Sequence, residues 1–319
     1  MVFKMFPMDE SFHQTQKLSK EKMRELIKRS DNPALFRFVV MYILFLGTAA
    51  WVVFSWERTW WEIILSQLSF GIICCSTFAA LHETAHNTAF KTTSLNTIAA
   101  IFAGIAHMYA SVMFRELHFT HHRFTHIPGK DPEISFAGKP TPSIVRNLPF
   151  YFSWLTGFPL LLFKIGMLFS GAIGMPEPLR KKLYPFVRPD VRAKLMIESL
   201  MILAIYSGVI LLAIYVHAGF WGILTGQVVG HCILASYLTP EHNGLTHEGN
   251  IFEKTRSMKT NSAVKLLMWN MPYHAEHHAY PAVPFHLLLS VHSELKEEII
   301  NKDLGYPEFH LKVLGRKFK

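Results

Sequence analysis

Eighteen of the 319 residues are histidine, and eight of those fall into three short clusters. His82-Glu83-Thr84-Ala85-His86 sets two imidazoles four residues apart, on one face of a helix. His118-Phe119-Thr120-His121-His122 and His274-Ala275-Glu276-His277-His278 each set three at i, i+3 and i+4, within a single turn. At this histidine content one such triplet arises by chance in roughly one chain in twenty, and two in roughly one in several hundred. Neutral imidazole is the commonest biological metal ligand. Eight such rings crowded together without a metal would leave buried ring nitrogens unpaired, at about 2 kcal/mol or more each. Zinc sites close at about four ligands and do not need this many. All-nitrogen sites of higher coordination suit redox iron. Two irons close together can activate dioxygen and take hydrogen from an unactivated C–H bond, in a dry cavity around an apolar substrate. Such a pair calls for about nine or ten nitrogens, so one or two ligands are expected outside the three clusters. For His13, His107, His217, His231, His292 and His310 a packing or interfacial role is expected.

The elements that must position these clusters are membrane spans. Half of the residues are hydrophobic and only 17% are charged, against about 25% in a soluble domain. Cys74, Cys75 and Cys232 all sit inside apolar runs, which excludes a disulfide scaffold. Residues 34–56, 62–81, 195–218 and 219–239 each match the roughly 20 apolar residues that cross a bilayer. They form two pairs with short connections. Two further apolar stretches are less regular. Residues 95–114 contain His107 and Tyr109, and 147–174 is broken by Gly157, Pro159, Lys164 and Gly166.

Charge orients the chain. Lys4, Lys17, Lys20, Lys22, Arg24, Lys28 and Arg29 precede the first span, and Arg180, Lys181, Lys182, Arg188, Arg192 and Lys194 precede the third, whereas the two hairpin loops hold only Arg58. By the positive-inside rule both hairpins point outward and everything else is cytoplasmic. The net charge of +9 then reports topology, and no nucleic-acid partner is expected because no binding motif accompanies it. The clusters can share one side only if 95–114 and 147–174 do not each make a single crossing. The expected fold is an all-α integral membrane protein. Four transmembrane helices form two hairpins, with interfacial or re-entrant helices and a cytoplasmic histidine-box cap. Residues 1–33 are expected to form a cytoplasmic N-terminal segment and 34–319 a single membrane-embedded domain.

Around the clusters, Glu83, Glu116, Glu241 and Glu276 are candidates to accept the outer N–H of a ligating imidazole and fix its tautomer. Asp131 and Glu133 lie in a Pro/Gly-rich segment and read as ordinary turn residues. Trp269 reads as a membrane-surface anchor. Pro281 and Pro284 should end the helix of the third cluster, and 284–300 reads as an amphipathic surface helix with Leu287, Leu288 and Val291 inward. Two other functions compete. The first cluster alone is HExxH, a zinc-metalloprotease signature with Glu83 as base, but that leaves the other two unemployed. A metal transporter would place ligands near the bilayer midplane, whereas these lie at span ends.

HxxxH, HxxHH and HxxHH in this order, with paired spans between the last two, resembles the integral-membrane fatty acid desaturase and hydroxylase superfamily. The likeness covers roughly residues 35–300. It is strongest at HFTHHRFTHIPGKDPE (118–133) and NMPYHAEHHAYPAVP (270–284), which resemble bacterial fatty acid desaturase-type sequences. The resemblance implies two non-haem irons, held on the cytosolic side by His82, His86, His118, His121, His122, His274, His277 and His278, plus a histidine between the second and third boxes. Glu241-His242-Asn243-Gly244-Leu245 resembles the EHxGL stretch of membrane alkane hydroxylases, which implies His242 as the ninth ligand with His247 as fallback. An alignment in the manner of acyl-CoA desaturases would choose Asn243 and His247 instead. The implied activity is O2-dependent desaturation of a fatty acyl chain or similar lipid, with hydroxylation or ketolation as the alternative. Without a haem-binding or cysteine-rich motif of its own, the chain needs an external electron donor of ferredoxin or cytochrome type, which the basic face could dock. The implied location is a bacterial inner membrane, with the site and both termini cytoplasmic.

Overall fold

A computed structural model describes residues 17–316; His13 and the rest of the first 16 residues lie outside the described residues. A short helix α1 (Lys20–Leu26), capped by the Ser19 hydroxyl, leads into α2 (Asn32–Ser55). A tight turn follows, and a Thr59/Glu62 capping box starts α3 (Trp60–Ala85). Next come α4 (Thr93–Ala106) with α5 (Ser111–Arg123), and then α6 (Leu148–Leu155) with α7 (Phe158–Ala172). The short α8 (Glu177–Leu183) precedes α9 (Arg192–Tyr215) and α10 (Trp221–His242). Smaller helices α11 (Ile251–Lys254), α12 (Ser262–Leu267), α13 (His274–Ala279), α14 (Leu288–Leu295) and α15 (Tyr306–Leu314) complete the described chain.

Four helical segments are long and apolar enough to cross a membrane: Asn32–Ser55, Trp60–Ala85, Pro189–Tyr215 and Ala218–His242. α2 and α9 leave most of their apolar side chains exposed, as lipid-facing helices do, while α3 is the most buried of the four and packs on α10 at the centre. Glycine permits that contact: a Cβ on Gly71 would lie 2.6 Å from Val229 Cγ1, and one on Gly230 would lie 2.8 Å from Cys74 Cβ.

The two irregular stretches are bent pairs. α4 and α5 meet at 100°, α6 and α7 at 65°. Such breaks in an apolar setting need partners for the backbone groups they free. The Ile105 carbonyl accepts from the Tyr206 hydroxyl (3.1 Å) and the Ala106 carbonyl from Gln227 Nε2 (2.9 Å). The start of α5 is capped by Glu198, which accepts from the Ser111 hydroxyl (2.9 Å) and the Val112 N–H (3.1 Å). At the second bend Gly157 adopts φ +71°, and a Cβ there would sit 2.4 Å from backbone atoms of His231 and Cys232.

Cross-links gather several helix ends at one end of the bundle. Arg37, near the start of α2, donates to the Leu266 carbonyl (3.2 Å), and the Thr92 N–H donates to Asp31 (2.9 Å). Arg188, just before α9, pairs with Glu116 of α5 at 3.0 Å.

Two expectations are adjusted. α3 runs four residues past 81, so the first histidine box is the last turn of a long helix, and α10 runs on to His242. The all-α class holds, with one small hairpin added: Ser135–Phe136 and Lys139–Pro140 pair antiparallel as β1 and β2. Their two-residue turn, Ala137-Gly138, has positive φ at both positions. Trp269 is no surface anchor, since it is 1% exposed and packs against the Phe285 ring at 4.8 Å. After Pro284 a 3-10 turn leads into α14, which ends at Leu295; Leu288 and Val291 are buried and Leu287 is partly so.

Candidate metal centre

Each histidine is delivered by a locally braced element. The first box ends α3, where Thr84 back-bonds to the Ala80 carbonyl (2.7 Å) and Arg115 donates to the Ala85 carbonyl. The second box occupies the last turns of α5. The third is α13, whose Ala275 N–H donates to Ser257 Oγ (3.1 Å) while Glu276 is gripped by Ser257 and His292. His242 closes α10, where Arg256 satisfies the carbonyls a helix end leaves free. Its guanidinium donates to the Pro240 and Asn243 carbonyls and its N–H to the Glu241 carbonyl (2.9 Å).

These elements bring nine histidines together in two groups. His82, His86, His118, His122 and His277 form one; His121, His242, His274 and His278 form the other. Within each group the nitrogens facing one another lie within 4.8 Å. The boxes are shared between the groups, and helix geometry explains how. Residues at i and i+4 point about 40° apart and i+3 falls about 100° from i+4. The i, i+4 pairs His82/His86, His118/His122 and His274/His278 therefore each serve one group, while the i+3 residues His121 and His277 cross to the other.

The nitrogens of the groups contact one another directly. Nε2 atoms meet for His86–His118 (2.8 Å), His118–His122 (3.0 Å), His122–His277 (3.1 Å), His242–His274 (2.8 Å) and His121–His278 (3.3 Å). The outer Nδ1 atoms of His118, His122, His274 and His277 are buried without a hydrogen-bond partner, as are both nitrogens of His82. Proton sharing cannot satisfy a run in which one Nε2 faces two others. A cation at each focus would take every lone pair at once, and nitrogens about 2 Å from a metal lie about 3 Å apart when adjacent. Burial holds His274 and His278 well below the ordinary imidazole range and brings His277 down to about 3, so these rings are neutral lone-pair donors at physiological pH. The residues fit a metal pair.

The outer face of the second group is held by hydrogen bonds. The Asp131 carboxylate accepts from His121 Nδ1, 3.0 Å from each oxygen, the Lys254 carbonyl accepts from His242 Nδ1 (3.0 Å), and Thr125 Oγ1 lies 3.3 Å from His278 Nδ1. Glu241 lies 3.8 Å from His274 Nδ1. A cavity of about 300 Å³ opens beside the histidines, walled mainly by apolar side chains such as Phe78, Phe114, Leu160 and Leu234, and reaching His82, His118, His121, His242 and His274.

A family model described as fatty acid desaturase matches residues 58–310, most of the chain. The chain belongs to the fatty acid desaturase family. It is accordingly an oxidoreductase and an integral membrane protein. Curated relatives include a sphingolipid delta(4)-desaturase DES1-like protein of Oryza sativa subsp. japonica, 26% identical over 78% of this chain and 69% of that protein. Another is a DES1-like sphingolipid delta(4)-desaturase of Arabidopsis thaliana, 25% identical over 84% and 74%. The Mus musculus sphingolipid delta(4)-desaturase/C4-monooxygenase DES2 is 28% identical over 75% and 67%.

Several side chains of this desaturase sit elsewhere than the sequence suggests. Asp131 is not an ordinary turn residue: it is fully buried and also accepts the His126 N–H (2.7 Å) and the Glu133 N–H (2.9 Å). Its signal was the Pro-Gly turn, which folds the chain back ten residues after His121. Glu83 turns away from the histidines to accept from the Thr88 hydroxyl (2.6 Å) and the Phe285 N–H (3.0 Å), so it is not poised as a base. Glu116 pairs with Arg188 rather than with an imidazole. His247 lies outside both groups, its Nδ1 on the His126 carbonyl (3.0 Å), and Asn243 lines the cavity.

Proposed function

We propose that this chain is a membrane di-iron desaturase that uses dioxygen to introduce a double bond into a long lipid chain. The observation that carries the reading is the five-plus-four division of nine buried histidines beside one apolar-walled cavity. In this reading His82, His86, His118, His122 and His277 hold one iron, and His121, His242, His274 and His278 hold the other. Bound there, the irons would supply the oxidising power to take hydrogen from unactivated methylenes. The reaction consumes two hydrogens of the substrate, one dioxygen, two electrons and two protons, and returns an alkene and two waters. An external ferredoxin or cytochrome supplies the electrons.

The chain's own residues do the rest. Asp131, by accepting a hydrogen bond from the His121 Nδ1–H, keeps the Nε2 lone pair turned inward, and the Lys254 carbonyl does the same for His242. Phe78, Phe114, Leu117 and Met271 exclude water and hold an extended chain against the histidines. The basic end of the bundle, with Arg37, Arg115, Arg188 and Arg256, is read as cytoplasmic. The bent pairs are read as re-entrant, returning to the side they left. Residues 34–319 are read as one membrane-embedded domain, supported by a buried apolar cluster that runs from Leu26, in the preceding segment, to Ile299. The sphingolipid relatives favour a substrate with a long saturated chain and a polar head.

Hydroxylation is the second reading, favoured by one observation: the mouse relative's name joins a desaturase to a C4-monooxygenase. Both outcomes begin with the same hydrogen abstraction. Mass spectrometry of lipids from cells with and without the gene separates them. Desaturation removes two hydrogens from a lipid species, whereas hydroxylation adds one oxygen. His121→Ala should abolish either change, and activity retained in that variant would overturn the metal assignment.

A further inference from the structure

Lys164 is the one lysine with a fully buried side chain among the described residues, and it lines the cavity. Gly157 brings it there by letting the α6–α7 bend press onto the backbone of α10 at His231, two helical turns before Lys164. Lys164 Nζ lies 3.2 Å from His231 Nε2 and 5.3 Å from the centre of the Tyr109 ring. The His231 tautomer follows from its other nitrogen. Nδ1 lies 2.7 Å from the Gln227 carbonyl, which can only accept, so Nδ1 carries the proton and Nε2 presents a lone pair to Lys164. That uses one Lys164 N–H. The described residues offer no carboxylate at ion-pair distance for the others. Beside it, His107 stacks on His231 at 5.1 Å, and Gln227 Oε1 is buried without a donor. His231 is eleven residues before His242, or about 16 Å deeper along α10. Polar potential is therefore left open in the interior of the bundle, where an ionisable side chain marks a ligand path by default.

We infer that Lys164 binds an oxygen function of the substrate, a hydroxyl, carbonyl or carboxylate, remote from the methylenes that react. A purely hydrocarbon tail would strip Lys164 of solvent and return no hydrogen bond, whereas an oxygen at that depth accepts the free N–H groups. This rests on reading the cavity as the substrate site. It makes the substrate of this chain a lipid carrying oxygen at two separated positions.

The test uses the full metal-loaded protein in lipid nanodiscs and three probes of one chain length: a methyl-ended fatty acid, its ω-hydroxy counterpart and its α,ω-dicarboxylate. Affinities are read by displacement of a fluorescent acyl chain. At least one ω-oxygenated probe should bind about tenfold more tightly than the methyl-ended one. Lys164→Met should erase that preference and Lys164→Arg should recover part of it. Equal binding of the three probes to the unaltered protein, which needs no variant to fold, overturns the inference. So does a preference that survives Lys164→Met. Dehydrogenation of each probe, followed separately with a chemical reductant, keeps the two readings apart. Desaturation of the methyl-ended probe without any ω-preference defeats the anchor alone. An ω-preference without any dehydrogenation upholds the anchor and defeats the desaturase.

Discussion

Asp131 offers the sharpest perturbation of the centre, because it touches no proposed metal position yet braces one. Its carboxylate is fully buried and accepts from the His121 ring, the His126 N–H and the Glu133 N–H. Asp131→Ala strands all three donors. Glu133 is partly exposed and water can replace its partner, so two buried donors remain unpaired. At about 1–3 kcal/mol each, the fold should lose about 2–6 kcal/mol. Separately, His121 loses the acceptor that holds its Nδ1 proton, which should weaken metal binding by about 10–100-fold. Asp131→Asn keeps one acceptor oxygen but sets an NH2 against another donor, so its stability loss should be smaller and its metal defect similar. Thermal unfolding of the metal-free proteins isolates the first effect, and competition against a graded chelator isolates the second. If Asp131→Ala unfolds at the unaltered temperature and holds its metal against the same chelator concentration, the account of Asp131 is wrong.

Other outcomes follow from the same contacts. His242→Ala should leave the second group with three histidines and lower bound iron from about two toward about one per chain, while His247→Ala should leave it unchanged; elemental analysis of the purified variants decides. Glu83→Gln should retain lipid turnover and lose only about 1–3 kcal/mol of stability, since Oε1 takes both hydrogen bonds and only the new NH2 is left buried without an acceptor; a folded, metal-loaded but inactive variant would show that Glu83 does chemistry. Acid should destabilise the metal-free protein through His277. Its folded value, about 3, lies below the ordinary 6.5, so the unfolded chain binds the proton first. The His277 contribution is then constant above about pH 6.5, falls as the pH drops toward about 3, and levels below that, which a series of denaturant melts between about pH 6.5 and 3 would trace. Gly157→Ala should abolish folding or activity, because the new Cβ would meet the α10 backbone at 2.4 Å in a conformation that favours glycine.

How much of this was legible in the sequence depends on the range of the signal. The four spans were, because a run of about twenty apolar side chains is a local property. The boxes were too, as candidate ligand sets, because helical periodicity converts i, i+3 and i+4 into directions. The division of labour between i+4 pairs and i+3 residues was also latent in that periodicity, but three helices from distant parts of the chain had to be placed before it could be read. Asp131 was not legible, because a carboxylate in a Pro/Gly turn looks the same whether the turn faces water or folds back onto an imidazole. Trp269 was misread for a related reason. Position near an apolar run suggests an interface, while the turn at Trp269–Asn270 directs the indole inward. The carboxylates of the boxes were misleading in their own way. Glu83 occupies the position that HExxH chemistry needs, yet one of its oxygens holds both a threonine and a backbone amide.

The polar residues inside the apolar stretches show the same limit and also what it conceals. Tyr206, Gln227 and Glu198 look out of place in membrane helices until the α4–α5 bend is seen. Each then repays a backbone group that the bend would otherwise leave bare. Their presence on α9 and α10 is a consequence of the bend, and removing the bend would make them costly. Lys164 and His107 do not close in that way. The second bend is satisfied by glycine and by close backbone approach, without a lysine, and the first is already capped by other side chains. Lys164 and His107 thus exceed what the two bends require, and both stand beside His231, with Lys164 in the wall of the cavity. The N–H groups of Lys164 that His231 does not use, in the wall of the cavity, are what the proposed substrate oxygen would complete.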